Sequence, residues 1–447
     1  MNFAEQFAQH IRTLQSRYEE TLKLLAGENH PIEAVFLHSG SEKTYFADDE
    51  AVPFRAHGHF RHWAPVNRPD QAVLMQPGKR PTFYRVQPKT FWCDTTIGMD
   101  PWWADAFDPV DAVNPDDVID HLPPLRRIAF IGENTSYASR LGFPSSLQNL
   151  PHLRNRLDSH RSLKTPYEID QVIEANRKAL RGHEAARLAF EAGESEYGIH
   201  RAYVAACGAD EVGLPFPPIV TLDETSAILH YQHKRREPGT SARLMMCDAG
   251  DTQNGYASDI TRAWLRDSAH PIFHELLERV TAIKDTIAAT ATAGTVFKDL
   301  NEQCHGMVTD ILLDVEVIRG DRDELIEKKV STLFLPHGLG HLLGLNVHDV
   351  GGLFKDETGV LEPPPEEHKS LRLTRTLENG MIYTVEPGIY FMPMLLEEER
   401  EKEKGGYVNY DLVEELIPLG GVRMEDDVVI EGDRPRNLTA AAGEDGH

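Results

Sequence analysis

Polar and apolar positions alternate with a helical period from the first residues of the chain. Phe3, Phe7, Ile11, Leu14, Tyr18, Leu22 and Leu25 recur at spacings of three and four, which predicts an amphipathic helix with one apolar stripe turned to a core. Beyond it the apolar runs shorten. "EAVFLHSG", "QAVLMQPG", "PTFYRV" and "RIAFIGE" read as buried strands separated by Pro and Gly turns, an α/β segment ending near residue 150. The stretch "SLKTPYEID" then carries a helix start: Thr165 as cap, Pro166 in the first position, Glu168 completing a T-x-x-E capping box. From Ile169 the residues Val172, Ile173, Ala179 and Leu180 keep helical spacing, with Asn176 the one polar break, and the pattern can run to Gly193. Two more long helices are predicted after Pro271 and around Val296. Strand-like runs lie between and after them: "ARLMMCDAG", "YASDITRAW", "MIYTVEPGIY" and "GGVRMEDDVVI". Helices grouped apart from strands of antiparallel type predict α+β. The expected organisation is a smaller α/β domain over 1–160, a larger domain over 161–435 and a flexible tail over 436–447. "LLEEEREKEKGG" reads as a solvated surface insertion.

Composition narrows the classes of function. A chain of 447 residues is too long for one ordinary core. Acidic residues outnumber basic ones by 71 to 46, a formal charge of -25 that repels phosphate backbones and anionic lipid surfaces, so neither nucleic acid nor membrane is expected as a partner. Cys93, Cys207, Cys247 and Cys304 are scattered without a CxxC pair, and "MNFAEQFAQHIRTLQSRYEE" is charged where a secretory signal is apolar. No run approaches the roughly 20 apolar residues of a membrane helix. A reducing, cytoplasmic setting is the expectation.

The acids are unevenly placed. Asp248 and Asp259 flank "DAGDTQNGYASD". If Asn254 and Gly255 form the two-residue turn of a hairpin, Gln253 faces Tyr256 and Asp248 faces Thr261, which makes Asp259 a diagonal neighbour of Asp248 on the same face. Diagonal neighbours lie about 7 to 8 Å apart, so two short carboxylates can converge on a shared cation. Aspartates beside a turn are more often simply solvated, but Asp248 closes the apolar run Leu244 to Cys247 and Ile260 follows Asp259. Glu386 in "YTVEPGIY" and Glu425 in "GGVRMEDDVVI" also lie among apolar residues. Each is open to two readings, a cation ligand or a buried ion pair with Arg423.

"LPHGLGHLLGLNVHDVGG" adds His337, His341 and His348 among glycines. It misses the dinucleotide fingerprint by one position, since it runs G-x-G-x-x-x-G, and it is not the H-E-x-x-H zinc helix. Imidazoles on so bare a backbone, in a chain with four strand-borne carboxylates, point to a cavity that the backbone approaches closely. One imidazole with four carboxylates is a hard, oxygen-rich set that favours Mn2+ or a similar divalent ion over a thiolate zinc site.

"CDAGDTQNGYASDITR", "PHGLGHLLGLNVHDVGG", "YTVEPGIY" and "GGVRMEDDVV" resemble, in this order, the metal-binding segments of the Xaa-Pro peptidases with the creatinase or pita-bread fold. The similarity is greatest to bacterial Xaa-Pro dipeptidases, or prolidases, a group that includes organophosphorus acid anhydrolases. "HSG", "ADDEAVPFRAHGHFRHWAPV" and "HRSLKTPYEID" extend it to the N-terminal domain. The resemblance implies a C-terminal pita-bread (aminopeptidase-like) catalytic domain after an N-terminal domain serving substrate access and dimerisation. It implies two divalent ions per subunit, Mn2+ first with Co2+ or Zn2+ as alternatives, a homodimer, and hydrolysis of Xaa-Pro dipeptides by a metal-bridged hydroxide. Asp248, Asp259, His341, Glu386 and Glu425 become ligands, with Asp259 and Glu425 bridging and Glu386 also relaying a proton. His337 and His348 act in catalysis and, with His230 in "AILHYQH", on the substrate side. Arg372, fourteen residues before Glu386, takes the dipeptide's carboxylate, and Asp49 its ammonium; without the resemblance, both read as surface charges. Phe216 in "VGLPFPPIV" departs from the tyrosine of organophosphate-hydrolysing relatives, which weakens the expectation of that side activity. The rival functions are an Xaa-Pro aminopeptidase of longer peptides and a non-catalytic metal-dependent binding module.

Overall fold

The computed structural model describes residues 2–210 and 212–444. The chain forms two compact units, Met1–Glu168 with Asp356–Val360, and Ile169–Lys355 with Leu361–His447.

In the first unit, helix Phe3–Gly27 starts at an Asn2 and Glu5 capping box and buries Phe7, Ile11, Leu14, Tyr18, Leu22 and Leu25, the stripe read from spacing. A five-stranded sheet has the order Asp108–Ala112, Thr82–Val86, Ala72–Met75, Ala34–His38, Ile128–Ile131, with the two outermost pairs parallel and the inner pairs antiparallel. Four of these strands match the short apolar runs. The fifth, "DPVDA", has no apolar alternation because it is an edge strand: Asp108, Pro109 and Asp111 are exposed there, where a charge and a missing N–H are tolerated.

Helix Pro166–Glu191 opens with the Thr165 and Glu168 box, Thr165 N donating to Glu168 Oε2 at 2.8 Å and Glu168 N reaching Thr165 Oγ1 at 3.5 Å. The division between units falls just inside this helix, after Glu168. The second unit is built on antiparallel sheets. Strand Leu244–Ala249 lies between Ile260–Leu265 and Ile219–Leu222, and Asp426–Glu431 lies between Ile382–Val385 and Arg434–Asn437. Gly388–Tyr390 pairs with Gly421–Arg423, and a Thr261–Glu425 bridge ties Glu425 to the first of these sheets. Helices Pro271–Thr290 and Phe297–Asp314 occupy the two stretches predicted helical.

One expectation needs correcting. The segment expected as a flexible tail is ordered through Glu444: Arg434–Asn437 completes a sheet and Leu438–Glu444 is a helix that buries Leu438, Thr439 and Ala442. Its low hydrophobicity misled because Thr439 is held by buried hydrogen bonds rather than by apolar contact. Residues 445–447 lie outside the described residues. Within the acidic insertion, Pro393–Glu399 is a helix anchored by buried Leu396, with its acids largely exposed. Among the described residues no helix is long and apolar enough to cross a membrane.

Candidate metal centre

The hairpin forms as the Asn-Gly pair dictates. Asn254 and Gly255 both take positive φ, 49° and 87°, so the turn matches the twist of its strands. Gln253 faces Tyr256 and Asp248 faces Thr261, which leaves Asp259 diagonal to Asp248. Glu386 sits in the break between strands Ile382–Val385 and Gly388–Tyr390, and Glu425 in the break before Asp426–Glu431. All four acids leave the ends of strands at one place.

The histidine segment lies antiparallel to strand Ile382–Val385, through a Leu342–Tyr383 bridge and hydrogen bonds Thr384 N to His341 O and Leu343 N to Ile382 O, both 2.9 Å. Gly340 permits the approach, since a Cβ there would stand 2.0 Å from Thr384 O. The close neighbour of the glycine is therefore a strand. His341 Nε2 stands 3.4 Å from Asp259 Oδ2 and 3.8 Å from Glu386 Oε1. Ligand atoms of Asp259, His341 and Glu425 lie within 4.8 Å of one another, and all three residues are buried. Thr261 Oγ1 donates to Glu425 Oε2 at 2.6 Å.

His341 Nδ1 contacts Leu342 O at 3.1 Å. A carbonyl only accepts, so Nδ1 carries the proton, and burial lowers the imidazole's pKa despite the opposing charge of Glu386. The bare Nε2 lone pair then faces carboxylate oxygens, an arrangement that repels unless a cation lies between them. The acids respond in kind: burial, then Asp248, Asp427 and Glu386, push the Asp259 carboxyl well up, and burial with Asp259, Glu386 and Asp248 does the same to Glu425. Burial also raises Glu386 against the pull of His341 and Arg423. Asp248 Oδ1 is buried without a hydrogen-bond partner. This donor set fits divalent cations, and Asp248, Asp259, His341, Glu386 and Glu425 are the residues able to hold them.

Arg423 pairs with Asp248, Nη2 to Oδ2 at 2.5 Å, and not with Glu386 or Glu425 as its position in the sequence had suggested. Thr261, the cross-strand partner of Asp248, accepts at its Oγ1 from Arg423 Nε at 3.0 Å. Arg423 Nη1 also donates to Tyr390 Oη at 2.8 Å. Tyr390 escaped the sequence reading because a tyrosine ending an apolar run looks like core; its hydroxyl meets His337 Nε2 at 2.8 Å. With His337 Nδ1 donating to Gly338 O at 2.9 Å, both nitrogens of that ring are engaged. Nδ1 also lies 3.7 Å from Glu386 Oε2.

His348 is exposed and meets His341 edge-on, with ring centroids 4.4 Å apart. His230 and Arg372 are exposed as well; Arg372 acts electrostatically on His341, His348 and Glu386, and His230 on His337 and His348. Asp49 lies on an exposed loop of the first unit.

The first unit holds another group with ligand-like spacing, His10, His62 and Glu168, all buried. Both nitrogens of His10 are engaged, Nε2 with His62 O and Nδ1 with Thr165 Oγ1, each at 2.8 Å. His62 Nε2 stands 3.3 Å from Glu168 Oε1. Burial alone would raise the Glu168 carboxyl, but His62, His10 and Lys164 outweigh it and hold it well below the usual range, while burial lowers both imidazoles in turn, His62 to about 3. Glu168 thus has a cation, Lys164, and a backbone donor, Thr165 N, beside it.

Residues 170–432 match the model of metallopeptidase family M24. The chain belongs to that family. Residues 5–158 of this M24 chain match the N-terminal domain of Xaa-Pro dipeptidase. The Xaa-Pro dipeptidase of Pseudoalteromonas atlantica is 36% identical over 446 residues, 98% of this chain and 99% of its own length. That of Xanthomonas campestris is 38% identical over 436 residues, covering 97% and 96%. Among solved structures, aminopeptidase P from E. coli with the inhibitor Pro-Leu superimposes with a TM-score of 0.72 at 21% identity, covering 96% of this chain and 95% of that one. Proline aminopeptidase P II from Yersinia pestis gives 0.71 at 23%, covering 96% of each. These structures carry the fold: an α+β chain whose M24 domain, of pita-bread form, follows an N-terminal domain in sequence. Membership of M24 and the buried Asp259, His341 and Glu425 group together support a dinuclear divalent-metal site in this chain.

Proposed function

We propose that the chain is an Xaa-Pro dipeptidase, a Mn2+-dependent hydrolase that cuts the bond before proline in dipeptides. One observation carries the chemistry: the bare Nε2 of His341 faces Asp259 and Glu386 where four carboxylates converge and Arg423 alone among the described cationic side chains hydrogen-bonds to them. Such a set would suit two hard cations, held by Asp248, Asp259, His341, Glu386 and Glu425. When bound, two such ions lower the pKa of water toward neutrality and polarise a carbonyl.

The protein's residues do the rest. Glu386 accepts the proton of the attacking water and delivers it to the prolyl nitrogen, which cannot leave a tertiary amide unprotonated. Arg423 fixes Asp248 and, through Tyr390, the ring of His337. His348 and His230, both exposed, are assigned to the substrate with His337. Arg372, exposed and free of the Arg423 network, is assigned to the proline carboxylate, whose planar geometry a guanidinium matches. Proline fixes φ and lacks an N–H, so a dedicated pocket is needed for this bond. The N-terminal domain, over 1–160, is assigned to substrate access and to a homodimer in which Asp49 serves the substrate ammonium of the neighbouring subunit. A fully active monomer in sedimentation contradicts that assembly. Half-buried Phe216 offers no hydroxyl, so organophosphate turnover is left out of the proposal. Four free cysteines suit a cytoplasmic setting.

The full-length relatives named Xaa-Pro dipeptidase favour this substrate class over longer peptides. Hydrolysis of Ala-Pro against Ala-Pro-Ala in Mn2+ tests it: the dipeptide should be preferred strongly, and equal rates would replace it with the aminopeptidase reading. Metal binding without any turnover would leave a binding module.

A further inference from the structure

Asn176, the single polar interruption in an otherwise apolar helical stripe, is fully buried. Its Nδ2 donates to Asp427 Oδ2 at 2.7 Å and to Val172 O at 2.9 Å, and its Oδ1 accepts from Thr439 Oγ1 at 2.7 Å. Thr439 Oγ1 in turn accepts from Asp427 N at 2.9 Å. The three residues close a ring of hydrogen bonds between helix Pro166–Glu191, strand Asp426–Glu431 and helix Leu438–Glu444.

The ring has one outlet toward the acid cluster. Asp427 Oδ2 accepts from the backbone N of Asp259 at 3.1 Å. Asp427 is also the cross-strand partner of Thr384, and directly paired residues of an antiparallel ladder share a face. Thr384 Oγ1 accepts from the backbone N of His341 at 3.1 Å. One rung of the ladder, Thr384 with Asp427, therefore holds the two chain segments whose side chains, His341 Nε2 and Asp259 Oδ2, lie 3.4 Å apart.

We infer that Asn176 and Thr439 are positioning residues of the metal centre: they fix the Asp427 carboxylate, and Asp427 fixes Asp259 opposite His341. The inference rests on the metal reading of the cluster. A buried amide and hydroxyl used only to fasten the C-terminal helix would be indifferent to metal. Used to aim a ligand, they set its affinity, and losing such a support costs roughly 10- to 100-fold in metal binding.

The test uses the full-length protein and reads Mn2+ affinity by calorimetry alongside the melting temperature of the metal-free form. Thr439→Val and Asn176→Ala should each weaken Mn2+ binding by roughly 10- to 100-fold, and Thr439→Ser, which keeps the hydroxyl, should restore it. Leu438→Ala, on the same helix but outside the ring, should lower the melting temperature and leave affinity unchanged. If Thr439→Val binds Mn2+ as tightly as wild type, or if Leu438→Ala weakens binding equally, the positioning role is wrong and the ring only fastens the helix. Wild-type protein that takes up no Mn2+ would instead overturn the metal reading, and this inference with it.

Discussion

Two buried clusters of acid and imidazole in this chain look alike in a list of residues and differ in what they can do. In the first unit, Glu168 faces His62 and His10 with Lys164 nearby; it accepts from Thr165 N, and both nitrogens of His10 have partners. The acid is stabilised as a carboxylate. In the second unit, of Asp248, Asp259, Glu386 and Glu425 only Asp248 takes a hydrogen bond from Arg423, and Asp259, Glu386 and Glu425 are all driven toward their protonated forms. An acid matched by a nearby lysine and a backbone donor is architecture; four acids with a single hydrogen-bonded guanidinium ask for cations from outside. Spacing of ligand types does not separate the two cases, and charge balance does.

The largest effect should come from removing charge shared between the ions. Asp259→Asn and Glu425→Gln are expected to lose metal and to lower kcat/KM on Gly-Pro by roughly a thousandfold or more, the scale of losing a principal transition-state stabiliser. A variant that keeps its metal and its rate would break the comparison. The next effect separates neighbouring rings. His341→Ala should lose metal, because Nε2 points among the acids, whereas His348→Ala should keep metal and slow turnover by roughly 100-fold or more. Equal metal loss in both would mean that edge-to-face contact hid a second ligand.

Arg372→Ala should raise KM for Gly-Pro by roughly tenfold to a hundredfold, about 1.5 to 3 kcal/mol from a charge-assisted contact, and narrow the gap between Ala-Pro and its amide. The smallest effect on activity belongs to the balanced cluster. Glu168→Gln should leave metal content unchanged and cost about 1 to 3 kcal/mol of stability at pH 7. Because the folded-state pKa of Glu168 lies below its ordinary 4.5, its stabilisation is present above that value and lost as pH falls beneath it. The stability gap between Glu168→Gln and wild type should therefore shrink below pH 4.5, and thermal melts across that range check it.

What the sequence made legible depended on range. The Asn254-Gly255 turn is a local signal, and it alone predicts the register that puts Asp248 opposite Thr261 and Asp259 on its diagonal. The capping box at Thr165 is local too, but its glutamate serves a second purpose, set by His10, which precedes Thr165 by 155 positions. Arg423 was legible as a buried cation and not as the partner of Asp248, because that choice is made by a side-chain contact across 175 positions. Tyr390 and Thr384 gave no sign, since a tyrosine and a threonine in a strand satisfy its propensity equally well as core. The C-terminal helix was missed for a related reason: part of its hold on the fold is a hydroxyl, and hydropathy does not count hydroxyls.

Metal stoichiometry tests the central claim most directly. Elemental analysis of active, dialysed protein should give two Mn2+ per chain in the wild type and in Glu168→Gln, fewer in Asp259→Asn and Glu425→Gln, with Gly-Pro hydrolysis abolished by chelation and regained with Mn2+. Full activity in protein free of metal, or Glu168→Gln losing metal as Asp259→Asn does, would contradict the account.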